Sequence, residues 1–590
     1  QANDFRHECM TIIRKGRKKE DVNMDAEICK GIKEWLKLNQ LVLIENDKGR
    51  ATCIVKEETK NELVSNELNN HQRYVKLRSN PLDNIRGKVN SDLKDLLDEN
   101  LINKQQYKSL KQDVPVLPSA RPTLKAHKDP PKIRLIINTI GSPIYKLSKV
   151  VSSHLKPLTT NGKSFIKDSK EFVENIKGEK LDNNETMISF DIKDMYPSLP
   201  KEEVLNEVER RIDCDTFKPN INKEALKRLA RLSVQFMSFR VKNNYYNQKD
   251  GLFIGSPTSP SFSEIFVQRL EEVSIYKMLH APRIWYRKVD DTFTITKHNV
   301  NNTLEELNRI HKQIEFTAEK EENGEINFLD CMCYRDQENK VQTKVYKKPT
   351  HTGQYGNYNP NQPYWVKIST IKTLVNRAKS ICTREKDFEL ELKYIKNIIK
   401  LNDFPSNVID KVIHETLNNT HPNNDNKRDR NENETMMHIP YERGISEKIS
   451  RKAKRFGITT RFTKTKSLKS ILNIEEYDKW SSTGVIYKVN CQDDCDKIYI
   501  GETGRTLEKR LKEHQADSKK LPSENMSGLS KHAIEVGHQP KWKEVNIICK
   551  ENNIVKRKWK EAAFILRNKD YLLNKKEEIK NLSSIWEPII

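Results

Sequence analysis

The stretch WYRKVDDTFTIT, residues 285 to 296, places two adjacent carboxylates, Asp290 and Asp291, between short runs rich in aromatic and β-branched residues. Such runs favour strands, so the local reading is a hairpin with the acidic pair at its turn. Upstream, MISFDIKDMYPSLP (187 to 200) alternates Ile188, Phe190 and Ile192 with Ser189 and Asp191. A strand would bury the first set and turn Asp191 to the opposite face. Asp191 paired with Asp290 across a sheet would supply hard oxygen ligands of the kind that hold Mg²⁺ together with substrate phosphates. Two such ions, one lowering the pKa of an attacking 3′-hydroxyl and one stabilising a leaving pyrophosphate, are a known solution for nucleotidyl transfer. Aspartates also populate solvated turns, so the chemistry depends on the two segments meeting. Between them, GLFIGSPTSPSFSEIF (251 to 266) puts Gly255, Ser256 and Pro257 ahead of a helical stretch. Gly255 permits a close backbone approach there.

A second group lies near the C-terminus. GVIYKV (484 to 489) and KIYIGETGRTLEKRLKEH (497 to 514) place Tyr487 and Tyr499 on neighbouring strands, followed by a helix that Thr506 would cap. Arg510 and His514 share one face of that helix, Leu507 and Leu511 the adjacent buried one, and Glu561 falls in a later amphipathic helix. Cys491 and Cys495 form a C-x3-C pair, and His532 and His538 an H-x5-H pair. Both spacings suit tetrahedral zinc, although the 36 residues between the pairs exceed the gap of a compact finger, and two unrelated pairs are the alternative.

The elements that must position these residues belong to a chain of 590 residues, enough for several domains. Its 106 Lys and Arg against 83 Asp and Glu leave a formal charge of +23, which favours a polyanionic partner, nucleic acid first. No apolar run is long enough to span a membrane and no signal peptide opens the sequence, so an intracellular protein without a membrane partner is expected. Ten Cys are too sparse for a disulfide framework. The run RKGRKK (14 to 19) reads as a solvated patch or a nuclear localisation signal. Residues 1–120 read as mostly helical and 121–340 as an α+β body. Residues 341–417 read as a helical, basic segment. The segment 418–435 is Asn-rich and devoid of Val, Ile, Leu, Met, Phe, Tyr and Trp, as a flexible linker would be. A basic connector spans 436–480 and a small α/β unit 481–590.

In this order, the Asp191 strand, the Gly255–Pro257 segment and the Val289–Asp290–Asp291 hairpin resemble motifs A, B and C of a reverse transcriptase. RPTLKAHK (121 to 128), INFLDCMCY (326 to 334) and VYKKPTHTGQYGNY (345 to 358) are similar to signatures of Penelope-like retroelements, whose polymerases resemble telomerase. Lys288 before VDD, and RPTLKAHK in place of LPKIHK, depart from the usual pattern. The resemblance implies a multidomain α+β right hand with fingers and palm over 121–340 and a thumb over 341–417. It implies Asp191 and Asp290 as ligands of two Mg²⁺ ions, with Asp291 in support. Lys125, Lys128 and Arg134 would meet the triphosphate of the incoming nucleotide beside Gly255 and Pro257. Tyr196 would lie beneath the sugar and select deoxynucleotides, and Phe328, Leu329 and Asp330 would grip the primer end.

The C-terminal unit resembles GIY-YIG endonucleases, with GVIY for the first motif and a full YIG at Tyr499, Ile500 and Gly501. By that resemblance Tyr487 and Tyr499 shape the site and one of them activates water. Arg510 stabilises the phosphorane, His514 assists proton transfer, Glu561 holds one Mg²⁺ and Asn574 is the late catalytic asparagine. Penelope-like endonucleases carry a CCHH insertion, which implies a structural Zn²⁺ on Cys491, Cys495, His532 and His538. The whole resemblance implies target-primed reverse transcription in the nucleus by a protein made in the cytoplasm, with structured element RNA, target DNA and dNTPs as partners. A polymerase carrying a non-cleaving DNA-binding module, a telomerase-like extender of DNA ends and a silent binding protein are the alternatives.

Overall fold

The computed structural model describes residues 2–15, 26–48, 51–418 apart from 113 and 127, 435–463 and, further on, 472, 479–480, 482–492, 495–521, 523, 526–568 and 571–574. Most of the basic run 14–19 and most of the Asn-rich segment 418–435 lie outside the described residues. No described helix is long and apolar enough to cross a membrane.

A four-stranded antiparallel sheet occupies the centre, in the order Phe316–Lys320, Thr186–Ile192, Asp291–Thr296, Ile284–Lys288. The alternation in Thr186–Ile192 works as expected: Ile188, Phe190 and Ile192 are buried and Asp191 is exposed on the other face. The buried side joins Val204, Val208 and Ile212 of helix Lys201–Asp213 and Phe262, Ile265 and Phe266 of helix Ser259–Val273 in one core. Helix Ser259–Val273 is buried on nearly all sides, and Glu264, Gln268 and Glu271, spaced by four and three residues, form a buried polar stripe along it.

A mixed seven-stranded sheet draws five of its strands from residues before 140 and two from between the strands of the central sheet. It runs in the order Thr52–Lys56, Leu41–Asn46, Ser119–Lys125, Ser238–Val241, Asn244–Gln248, Tyr74–Leu77, with Lys132–Asn138 beside Ser119–Lys125. The region up to residue 120 is mostly helical, and residues 41–77 in addition supply three strands of a sheet completed after residue 119. LVLIEN and TCIVK pair with each other but are too short to stand out as strands between helical patterns.

Strands Glu325–Phe328, Cys331–Arg335 and Val341–Val345 form a third sheet, so the boundary at 340 cuts through a folded unit. Helices Tyr364–Ile381, Glu385–Lys400 and Ser406–Asn418 follow it. Ile371, Val375, Ile395, Ile399 and Ile413 of these helices share a second core with Phe328, Cys331 and Cys333, and with Met187, Phe293 and Ile295 of the central sheet. That core covers one end of the sheet face bearing Asp191 and leaves the Asp191 end exposed.

The span 436–480, expected as a basic connector, holds a β-α-β unit. Strands Thr435–Pro440 and Ile458–Thr463 pair in parallel through helix Ser446–Arg455. Ser446, Ile449 and Ala453 are buried while Lys448, Arg451, Lys454 and Arg455 are exposed. Helix Ala2–Lys15 packs on it through Phe5 and Phe456, with ring centroids 5.3 Å apart, and through Glu8 and Lys452 at 3.1 Å. The last unit has the antiparallel strand order Ile498–Thr503, Val485–Asn490, Asn546–Lys550 with helices Leu507–Asp517, Gly528–Glu535 and Ile554–Arg567, the small α/β arrangement expected.

Removal of residues 2–15 uncovers an apolar contact worth about 1–2 kcal/mol. Proteolytic cleavage within 435–463 is expected to quicken about tenfold while the helices of 364–418 keep their resistance, measured by timed digestion.

Two candidate active sites and a cysteine–histidine cluster

The hairpin turns through Val289 and Asp290, so that Asp291 is the first residue of its second strand. This register places Asp291, not Asp290, directly opposite Asp191, which corrects the expected cross-strand pair. Asp290 sits at the turn beside them. Val289 has φ +62°, a conformation that costs a β-branched residue about 1–3 kcal/mol. Its carbonyl accepts a hydrogen bond of 3.0 Å from Nη1 of Arg287.

Arg287 is only 1% exposed. Its Nε donates to Glu271 Oε1 at 2.6 Å, Nη1 to Glu264 Oε2 at 2.9 Å, and Nη2 to Glu264 Oε1 at 2.8 Å and Glu271 Oε2 at 3.2 Å. Trp285 Nε1 and Ser164 Oγ donate to Glu271, and Gln268 Nε2 to Glu264, at 2.9, 2.7 and 3.1 Å. These donors fill lone pairs of carboxylate oxygens that the one guanidinium already reaches. The network fastens the acidic turn to helix Ser259–Val273. Sequence reasoning missed it, although an Arg in a strand two residues before VDD and a Glu at an otherwise apolar helix position were the available signal.

The carboxylates themselves are poorly compensated. Burial first, then the charges of Asp290 and Asp291, push Asp191 up to about 6; Lys48 opposes them and Glu319 adds to them. Burial and Asp290 likewise raise Asp291, against Lys348 and Lys48. Glu319 belongs to the strand that pairs with Thr186–Ile192, so its closeness follows from sheet order alone. An excess of negative charge on hard oxygen donors fits divalent magnesium.

The remaining expected residues divide. Lys125 Nζ and Arg73 Nη2 each lie 3.4 Å from Asp194, three positions after Asp191. Arg134 is held by Asp47 at 2.9 Å, and Lys128 is exposed on a turn. So Lys125 is held by Asp194, just past the end of strand Thr186–Ile192, and Arg134 by Asp47, while the cations acting on the acidic cluster are Lys48 and Lys348. Tyr196 is partly buried, hydrogen-bonded to Ser263, and its hydroxyl is raised by burial and by the charge of Asp290, which places it at the acidic cluster. Gly255 has φ +110°, and a Cβ there would lie 2.6 Å from the Ile137 carbonyl oxygen, so the close approach is to backbone of strand Lys132–Asn138. Pro257 stands half-buried just ahead of helix Ser259–Val273. Phe328 is a core residue against Phe172 and Phe293, which corrects its expected contact with a primer; Leu329, at φ +54°, and exposed Asp330 form the turn after it. Lys288 donates to the Lys167 carbonyl at 2.5 Å and lies over the Phe165 ring, tying the hairpin to a neighbouring loop.

In the C-terminal unit Thr506 caps helix Leu507–Asp517 as expected, and Leu507 and Leu511 are buried. Tyr487, Tyr499 and His514 cluster, with Tyr487 Oη 2.8 Å from His514 Nε2 and the Tyr499 and His514 rings 5.4 Å apart. Gly501 is required where it stands, because a Cβ would meet Tyr487 Oη and Tyr499 Cε1, both at 2.7 Å. Burial and the nearby Arg510 charge push His514 down to about 3, so the ring is neutral. Burial raises the Tyr487 phenol, Arg510 opposes this, and Glu561 and Glu502 add to it, which sets Glu561 beside the cluster. Arg510 reaches Tyr487 and Glu513, yet its Nε–H is buried with no acceptor among the described residues. Asn574 accepts from Ile500 N at 2.9 Å and donates to Ile500 O at 2.6 Å. Its amide thus continues the edge of strand Ile498–Thr503, the strand that carries Tyr499.

Cys491, Cys495, His532 and His538 meet, with their ligand atoms all within 4.8 Å of one another. His532 Nε2 lies 3.4 and 3.6 Å from the two sulfurs and 3.2 Å from His538 Nδ1. Zinc bonds of about 2.0–2.3 Å in a tetrahedron give ligand separations of roughly 3.3–3.8 Å, so the donor set fits. The long gap between the pairs is occupied by helix Leu507–Asp517, after which helix Gly528–Glu535 returns His532 to the cysteines.

The family described as the animal helix-turn-helix domain matches residues 354–414, the segment of the three helices after the third sheet. Comparison with curated proteins yields no match. Among solved structures, the chain is similar to telomerase from Candida albicans in complex with a TWJ fragment of telomeric RNA (11% identity, TM-score 0.44, covering 65% of this chain and 68% of that one). It is similar to apo telomerase from Candida tropicalis (12% identity, TM-score 0.39, covering 70% and 74%). It is also similar to the Sicinivirus 3Dpol RNA-dependent RNA polymerase (9% identity, TM-score 0.35, covering 56% and 71%).

Arg287→Met leaves two buried carboxylates without their cation and is expected to destabilise the protein by about 3–5 kcal/mol, measured by denaturant unfolding. Adding Glu264→Gln and Glu271→Gln should recover much of that loss. Asp191 keeps its proton in the folded protein up to about 6 but ionises near 3.8 when free. Its contribution to metal-free stability is therefore present at low pH and lost as pH rises through that window. Mg²⁺ competes with this proton, so the rise in melting temperature on adding Mg²⁺ should be larger at about pH 7.5 than at about pH 5 and should vanish in Asp191→Asn.

Proposed function

We propose that the chain is a Penelope-like retroelement enzyme, an RNA-directed DNA polymerase joined to a GIY-YIG DNA endonuclease. The observation that carries the polymerase reading is the opposition of Asp191 and Asp291 on adjacent antiparallel strands, with Asp290 in a strained turn held by buried Arg287. Asp191 and Asp290 would hold two Mg²⁺ ions, which when bound activate the primer 3′-hydroxyl and neutralise the leaving pyrophosphate. Lys125, now paired with Asp194 at a long 3.4 Å, is free to exchange that partner for the triphosphate. Tyr196 beneath the sugar favours deoxynucleotides. The helices of 364–418 act as the thumb and the exposed cations of helix Ser446–Arg455 meet phosphates of nucleic acid, giving an affinity that falls steeply with salt.

In the endonuclease, the partly exposed guanidinium of Arg510 meets the scissile phosphate and stabilises the charge of the phosphorane. Burial first and the Arg510 charge second hold His514 neutral; a phosphate at Arg510 offsets the second and so eases transfer of the Tyr487 proton to His514 Nε2. The phenolate takes a proton from the attacking water; the water oxygen bonds to phosphorus, the bond from phosphorus to O3′ breaks, and O3′ becomes a hydroxyl with a proton from solvent, to which His514 Nε2 returns the one it accepted. Glu561 would hold the single Mg²⁺ of this site, and the Cys491, Cys495, His532 and His538 cluster a structural Zn²⁺. The nick supplies the 3′-hydroxyl from which the polymerase copies structured element RNA into target DNA, in the nucleus.

One reaction tests both halves: purified protein, element RNA, labelled plasmid, Mg²⁺ and dNTPs, analysed for nicks and for cDNA joined to the nick. Asp290→Asn should reduce joined cDNA at least about a hundredfold and spare nicking, and Glu561→Ala should abolish nicking and spare extension of a supplied primer. Extension without any nicking by the unmodified protein would favour a DNA-binding module in place of the nuclease.

A further inference from the structure

The His514 ring has a second polar contact that the endonuclease chemistry above does not use. Its Nδ1 lies 2.9 Å from Oγ of Ser527, the residue that caps helix Gly528–Glu535 by accepting from Ser530 N at 3.2 Å. Ser527 Oγ is also 3.0 Å from Ser530 Oγ, and Ser530 Oγ donates to the His514 carbonyl at 3.2 Å. The direction of every proton follows from this set. A carbonyl can only accept, so the Ser530 hydroxyl hydrogen is spent on His514 O. Ser530 Oγ then accepts from Ser527, whose single hydrogen is spent in turn. Ser527 Oγ has only lone pairs left for His514, and Nδ1 must be the protonated nitrogen. In a neutral ring Nε2 is then the acceptor, and Tyr487 Oη donates to it.

We infer that Ser527 and Ser530 are positioning residues that fix His514 as the Nδ1–H tautomer and so leave Nε2 open to take the Tyr487 proton. The transfer breaks the Tyr487 O–H bond and forms an Nε2–H bond; Nδ1–H stays on Ser527 Oγ, and no co-reactant is needed. The serines belong to the helix that carries His532, so the Cys/His cluster anchors the same helix that orients the histidine. A third group that sets the tautomer of a catalytic histidine follows a general logic of such sites. The inference rests on the endonuclease reading for its kinetic consequence, but not for the tautomer.

The test uses the full chain labelled with ¹⁵N-histidine, His514 being assigned by its loss in His514→Gln, together with nicking kinetics on supercoiled plasmid. The unmodified protein is expected to show His514 protonated on Nδ1 and bare on Nε2. Ser527→Ala should mix the tautomers and lower kcat for nicking about tenfold, with KM changed less than about twofold. Ser527→Gly removes the hydroxyl while remaining a good helix cap and should do the same; Ser527→Thr should restore both readouts. Protonation of Nε2 in the unmodified protein would overturn the inference. So would a Ser527→Gly variant with an unchanged tautomer. If the unmodified protein does not nick DNA at all, the endonuclease reading fails on its own, and the ¹⁵N pattern still decides the tautomer.

Discussion

Arg287 carries its charge into a space almost closed to water, where Glu264 and Glu271 from one helix face receive four of its donor contacts and the Val289 carbonyl a fifth. Buried ion pairs of this kind add little net stability compared with apolar packing, because desolvation of each charge offsets most of the attraction. Their value is geometric. A β-branched residue at φ +62° does not hold such a turn by preference, and the directional bonds of one fixed guanidinium keep it there. With the turn held, Asp290 stands beside the Asp191 and Asp291 pair, and the two acidic segments of the sequence become one site.

The contrast between this network and the carboxylates it positions is electrostatic. Around Arg287 every carboxylate oxygen finds a donor, including Trp285, Ser164 and Gln268. In the same sheet, Asp191 stands exposed among like charges, and partial desolvation together with those charges holds it at about 6. The fold has thus compensated the charges that fix geometry and left uncompensated the ones that face the cleft, where a cation would lower the repulsion.

The C-terminal unit repeats this division with different groups. Tyr487, His514, Ser527 and Ser530 form a closed chain of hydrogen bonds, while the buried Arg510 Nε–H has no acceptor among the described residues. The open valence is cationic here, which suits a phosphate, and anionic in the first site, which suits a metal. Gly501 shows how narrow the tolerance is, since any side chain would displace the two tyrosines.

Strand alternation at Asp191, the capped helix with Arg510 and His514, and the two metal-spaced pairs were legible in the sequence because they depend on periodicity within a few residues. The small α/β unit was legible for the same reason. The register that opposes Asp191 to Asp291 was not, because one residue of turn length decides it and no local pattern records that length. Nor were the strands before residue 120, which join a sheet completed after residue 119, or the parallel pair around helix Ser446–Arg455, whose strands meet only across the intervening helix. Glu319, Arg287 and Ser527 carry ordinary local signals and acquire their importance only from what the fold packs against them. Residue types and spacing determined which chemistries this chain can attempt. The tertiary structure alone decided which charges are neutralised and which remain open, since burial and long-range pairing set the electrostatic cost of each group.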